Sequence, residues 1–281
     1  MQDLGRPGYA HLGISAAGAA DALSLRAGNL LVGNAEGAAG LEMTLLGGTF
    51  EFEADALVAL TGGDFEANVP LWQAVEVRAG EQVRVGRARS GARCYLCVRG
   101  GIDAPVVLGS RSTHLISGIG LALRRGNTID IGKTYVVCAD KSVGAAGRSA
   151  CATAPLRVTR GPQWDWFESE ILYETTWQVK EDSDRMGLRL SGPAIAARSG
   201  HMLTEGAPLG AVQIPPDGQP IILFVDHQTT GGYPKIANVI SADFHALGQL
   251  RPRDEVRFEL VSIETALALL REQEAWLHAL V

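Results

Sequence analysis

The sequence predicts a mainly β chain with few helices, an α+β protein in two halves. Three observations carry that prediction. The 281 residues include 34 glycines and 12 prolines, which favour turns over long helices. Between the turn residues lie apolar or alternating runs of about four to eight residues, the length of strands. Helical periodicity is confined to a few places, after Asp21, near Trp164 and after Ser262.

Taken in order, Asp21 caps a helix running to about Val32, anchored by Leu23, Leu30 and Leu31 and stopped by Gly33-Asn34. Residues 41–46, 49–54 and 56–60 read as strands, separated by Gly47-Gly48 and Asp55 and closed by Gly62-Gly63. Further strands are expected at 75–79, 82–85, 92–98, 128–131 and 135–138. Residues 141–154 are rich in Gly, Ala and Ser without an apolar period, so they read as a linker between domains at 1–145 and 155–281. Beyond it a strand at 156–160 leads through Gly161-Pro162 into an aromatic helix near 164–173. Strands are then expected at 177–180, 188–190, 212–214, 221–225 and 256–260. Ser262 caps a last helix whose stripe of Ile263, Ala266, Leu267, Leu270 and Leu277 suits core packing, though a partner surface has the same pattern.

Composition narrows the function classes. A net charge of -6 argues against a nucleic-acid surface, and the arginines at 84, 87, 89 and 93 are spaced for a solvated strand and turn. No apolar run reaches the ~20 residues of a membrane helix, and the N-terminus has no signal-peptide core, so a cytoplasmic protein is expected. Four scattered cysteines make no disulfide scaffold. Cys94 and Cys97 form a CxxC, but three residues along a strand put side chains on opposite faces, so both read as buried apolar groups.

Residues 126–134 imitate a phosphate loop with the wrong glycine spacing, and a strand is expected where that loop needs a helix. Asp226 and His227 are neighbours whose side chains diverge at a strand end, no Gly-x-Ser-x-Gly occurs, and six histidines show no metal spacing, so no metal is expected. Three groups remain. Gln2, Asp3 and Arg6 surround a glycine turn, as binding groups or as a salt-bridged turn. Arg185, beside Asp184, is either a bidentate clamp for a carboxylate or phosphate or half of a structural pair. The densest group runs from Glu205 to Val239, with Gln213, Asp226, Gln228, Thr229, Thr230, Gly231, Gly232, Tyr233 and Lys235. Its glycines are expected to take positive φ and gather N–H groups into a nest for an anionic or amide group, with Lys235 beside it.

The motifs Gln2–Tyr9, Ala20-Asp21, Asn29–Asn34, Leu41–Thr44, Gly109–Thr113, Asp184–Gly187, Gln213–Pro220 and Gly231–Lys235, in that order, resemble the allophanate hydrolase subunit 2 family. That family also holds the C subunit of 5-oxoprolinase, the Kip anti-inhibitor and the carboxyltransferase region of urea carboxylase. The resemblance implies two tandem cyclophilin-like β-barrel domains and a stable complex with a smaller homologous protein, the B subunit of 5-oxoprolinase. Two departures stand out. Met1 precedes Gln2 where the family usually has a strand, which implies a truncated chain or a late start. The segment 120–126 also lacks the family's glycine-arginine pattern.

The resemblance implies the C subunit of an ATP-dependent 5-oxoprolinase, acting with the A and B subunits on a small lactam or amide. Thr229 to Gly232 and Arg185 would bind substrate or phosphate, with Lys235 stabilising negative charge and Asp226 positioning or deprotonating a reacting group. ATP with Mg would belong to the assembled complex. One alternative is a biotin-dependent carboxyltransferase for urea or another amide, its biotin carried on another chain because no Met-Lys-Met occurs here. The other is a regulator that binds a kinase-inhibitor homologue of the B subunit without catalysis.

Overall fold

The computed structural model describes residues 1–133, 155–168, 170–197 and 202–280. The expected strand at 135–138 and the linker at 141–154 lie outside the described residues. The chain forms two compact units, one of Met1–Arg6, Ala17–Cys151 and Ala275–Val281, the other of Pro7–Ala16 and Ala152–Glu274. The fold is mainly β with few helices.

In the first unit, helix α1 (Ala22–Leu31) starts where the Asp21 carboxylate accepts the Ser24 N–H at 2.9 Å. Five strands follow: β1 (Leu41–Thr44), β2 (Thr49–Glu51), β3 (Ala56–Ala67), β4 (Ala74–Val77) and β5 (Gln82–Val98). They pair in the order β1-β5-β3-β4, with β2 also on β5. Two expectations fail here. The strand expected to close at Gly62-Gly63 runs on to Ala67, and the segments expected at 82–85 and 92–98 are one strand. The reason is the irregular register of β3 on β5 between Gly62 and Ala67, which lets both strands bend without ending. Gly62 has φ 102°, and a Cβ there would stand 2.9 Å from the Cys94 Cα, so this glycine serves a close strand crossing. Arg84, Arg87 and Arg89 project outward along the continuous strand, while Arg93 is buried.

Cys94 and Cys97 emerge on opposite faces of β5, as the spacing predicts. Cys94 joins a core with Leu41, Met43, Val58 and Leu96, and Cys97 joins another with Leu25, Leu31, Ala59 and Tyr95. Burial pushes the Cys97 thiol up to about 12 and the Cys94 thiol higher still. Residues 128–131 make only an isolated bridge, Ile102 to Ile131, rather than a strand.

The second unit holds β6 (Leu156–Arg160), α2 (Glu170–Glu174), β7 (Trp177–Val179), β8 (Gly187–Ser191), β9 (Glu205–Gly206), β10 (Ala211–Gln213) and β11 (Ile221–Leu223). After these come β12 (Thr230–Gly231), β13 (Lys235–Val239), α3 (Phe244–Gln249), β14 (Glu255–Val256), β15 (Phe258–Leu260) and α4 (Ile263–His278). Eight strands pair in the order β14-β7-β8-β11-β10-β13-β6-β15. The two end strands, β14 and β15, are consecutive in the chain with only Arg257 between them. The sheet edges are therefore drawn together and the barrel nearly closes, which leaves little unpaired edge.

The aromatic helix expected over 164–173 is broken. Trp164–Trp166 makes a 3-10 turn, Phe167 turns extended (φ -122°, ψ 163°) and sinks into the interior, bridging Ala197, before α2 begins. Strand β13 and helix α3 were not expected, because Lys235–Val239 follows a glycine-rich polar run that masks it. The expected core stripe of α4 is also corrected: Leu277 is buried, but Ile263 is 64% and Leu267 47% exposed. No helix among the described residues is long and apolar enough to cross a membrane.

Candidate active site

Strand β13 positions the centre of the candidate site. Its first residue, Lys235, is 1% exposed, yet its ammonium reaches the Glu205 carboxylate on β9 at 2.5 Å. Burying a cation is costly unless it is paired, and Glu205 supplies the pairing while keeping its own side chain 41% exposed. The Lys235 hydrogen bond is the leading cause that holds the Glu205 carboxyl below the usual carboxylate range, with Gln163 adding a second. Lys235 and Glu205 both line an open cleft of about 440 Å³, whose walls include Pro162, Pro208, Leu209, Asn238 and Phe244.

Gln213, on β10, pairs in register with Lys235 at an irregularity in the β10 and β13 ladder. Its side chain is buried, and its Nε2 has no hydrogen-bond partner among the described residues. A Cβ on Gly231 would meet that Nε2 at 2.9 Å and the Gln228 Nε2 at 3.5 Å, so two carboxamides converge on Gly231. The expected nest does not form. Neither Gly231 nor Gly232 takes positive φ, and Thr230–Gly231 instead pairs as β12 with Glu205–Gly206 of β9. The ladder claims the backbone groups that a nest would have gathered. The Thr229 carbonyl accepts the Ala207 N–H, and Tyr233 is exposed.

Arg185 and Asp226 meet each other. Arg185 Nε donates to Asp226 Oδ2 at 2.8 Å and Nη2 donates to Oδ1 at 3.1 Å. Of the two readings of Arg185, the structural pair describes this arrangement, and its partner is Asp226 rather than a neighbour of Asp184. Asp184 instead accepts the Met186 and Gly187 N–H groups and shapes the entry to β8. Next to Asp226, burial lowers the His227 imidazole below its ordinary value.

Gln2, Asp3 and Arg6 lie in the first unit, as one buried knot with the segment 110–113. Asp3 Oδ1 accepts from Ser110 Oγ and Ser112 Oγ at 2.6 Å, and its Oδ2 accepts the Arg111 N–H at 2.6 Å. Arg6 donates to the Ser112 carbonyl, and Gln2 Nε2 to the Thr113 carbonyl at 3.1 Å. These bonds tie two of the motifs read in the sequence to each other. Lys235, Glu205, Gln213, Gln228 and Gly231 are brought together, whereas Gln2, Asp3 and Arg6 belong to the other unit.

Sequence reasoning missed Gln163 and Asn238. Gln163 follows a strand and a Gly-Pro turn, a signal that reads as loop chemistry alone. Asn238 sits inside the strand that the glycine-rich run masked, and its Oδ1 has no partner among the described residues.

A family described as carboxyltransferase domain, subdomain A and B, matches residues 12–260. The chain belongs to that family. It is 39% identical to the C subunit of 5-oxoprolinase from Haemophilus influenzae, over 99% of this chain and 93% of that protein. Among solved structures it resembles TTHA0988 at 33% identity and TM-score 0.81, over 92% of this chain and 52% of that one. It also resembles the K. lactis urea amidolyase at 29% identity and TM-score 0.90, over 100% of this chain and 19% of that one. The chain thus spans nearly the whole of the Haemophilus protein, about half of TTHA0988 and about a fifth of the urea amidolyase.

Proposed function

We propose that this chain is the C subunit of an ATP-dependent 5-oxoprolinase that works in the cytoplasm with the A and B subunits. The observation that carries the reading is the 39% identity, along nearly the whole of both chains, to a protein named as the C subunit of 5-oxoprolinase. The cleft supports it chemically. In the net reaction one water adds across the lactam C–N bond of 5-oxoproline, giving the carboxylate and amine of glutamate, while a second is consumed as ATP becomes ADP and phosphate.

In this reading Lys235 stabilises negative charge that develops on the amide carbonyl oxygen. Glu205 holds the ammonium at the cleft wall, Gln213 pairs beside Lys235 on the neighbouring strand, and Thr230–Gly231 pairs with the strand of Glu205. Asp226 and Arg185, engaged with each other, brace the approach to β8 and β11 rather than acting as a free base and a free clamp. Among the described residues no group of three His, Cys, Asp or Glu side chains could hold a metal ion, and the glycines of 231–232 do not take positive φ. In this proposal ATP with Mg enters at the assembled complex.

A second reading, a carboxyltransferase for urea or a related amide with biotin on another chain, is favoured by the TM-score of 0.90 to a urea amidolyase. Reconstitution separates the two. Mixed with the A and B subunits, the chain is expected to support ADP and glutamate formation that depends on 5-oxoproline. Absence of that turnover sinks the first reading, and ATP use dependent on bicarbonate and a biotin carrier establishes the second.

A further inference from the structure

Gln163 is joined to the ion pair at three points. Its Oε1 accepts the Lys235 N–H at 2.9 Å, its Nε2 donates to Glu205 Oε1 at 3.1 Å, and its own N–H donates to the Lys235 carbonyl at 3.2 Å. The side chain is 9% exposed and its carboxamide meets both the backbone and the salt partner of one lysine. A carboxamide presents an acceptor and a donor side by side without a charge, which this position requires.

The chain around Gln163 is built to hold it there. The Gly161 N–H donates to the Ile236 carbonyl at 2.9 Å, and a Cβ on Gly161 would run into the Lys235 carbonyl and stand 2.8 Å from the Ala237 nitrogen. Only glycine lets the turn lie this close on β13. Past the turn, the Arg160 guanidinium stacks on Trp164 with 3.9 Å to the ring centroid, bracing the segment from both ends.

We propose that Gln163 is a positioning residue that locks Glu205 and Lys235 into one geometry at the cleft wall and so sets the pH range over which the pair works. The role of the pair in turnover rests on the 5-oxoprolinase reading; the lock itself does not. Among the described residues Lys235 is the charged group in contact with Glu205, while Gln163 and the Thr230–Gly231 strand that also face it are neutral. The Gln163 bond favours ionised Glu205, so removing it moves the Glu205 titration to higher pH.

The test compares wild type with Gln163→Ala and Gln163→Glu. The full chain, carrying carbon-13 glutamate carboxyls, is titrated by NMR, with Glu205 assigned by its absence in Glu205→Gln. The Glu205 midpoint is expected to rise from wild type to the alanine variant and again to the glutamate variant, which sets a second carboxylate beside it. With the A and B subunits present, Gln163→Ala is expected to lose roughly tenfold or more in kcat at little change in KM, with its acid limb moved to higher pH. Glu205 midpoints that do not move overturn the proposal, even if the variants lose thermal stability, because a merely structural glutamine would give that result. Should the wild-type complex not turn over 5-oxoproline, the functional reading falls and the titration still decides the role of Gln163.

Discussion

Lys235 shows how a single residue carries opposing demands. Its side chain is 2% exposed, where an unpaired cation is costly, and one carboxylate at 2.5 Å supplies the partner. Replacing it by methionine preserves the volume and removes the charge, so kcat of the reconstituted complex is expected to fall by about 10² or more in a steady-state assay. Glu205 shows the linked pH effect. Its folded proton affinity is depressed, so its contribution to stability is present above the ordinary carboxylate range and is lost as pH falls through the depressed range. The Asp226 carboxylate is 7% exposed and held by both arms of Arg185. Asp226→Ala removes that pairing and is expected to cost about 3 kcal/mol in urea denaturation.

At the scale of elements, β5 illustrates both what a pattern reveals and what it hides. The three-residue spacing of Cys94 and Cys97 was enough to place them on opposite faces, and each thiol lies in its own apolar core. Neither thiol ionises readily at neutral pH, so a thiol reagent followed by peptide mapping is expected to label neither in the native chain and both after unfolding. The unity of β5 was hidden, because residues 82–85 and 92–98 read as separate strands when no partner strand is in view. Gly161 is the reverse case, a turn glycine whose necessity comes from a strand far along the chain. Gly161→Ala is expected to destabilise by roughly 1–3 kcal/mol, since the methyl group meets the β13 backbone and neither side can move freely.

At the scale of the molecule, the two units are not consecutive stretches of chain. Pro7–Ala16 is counted with the second unit, and Ala275–Val281 with the first. Leu277, fully buried, closes a first-unit cluster with Leu25, Leu31 and Trp72. Leu277→Ala should therefore destabilise the first unit by about 2–5 kcal/mol despite its place at the end of the chain, as an equilibrium unfolding curve would show. A heptad-like count along α4 could not distinguish Leu277 from Ile263, since both lie on the same apolar stripe and only the surrounding structure buries one and exposes the other.

Taken alone, the sequence determined the class of fold, the capped first helix, most strand positions and the placement of the two CxxC thiols on opposite faces of one strand. These are local properties, set by φ restrictions, side-chain alternation and hydrogen-bonding inventory within a few residues. Tertiary structure alone decided which polar groups meet. It gave Arg185 to Asp226, Glu205 to Lys235 and Asp3 to the serines of 110–112. It also drew Thr230–Gly231 into strand pairing instead of a nest. Such partnerships join residues tens of positions apart through strand register, and a register is an agreement between two segments that neither one encodes by itself.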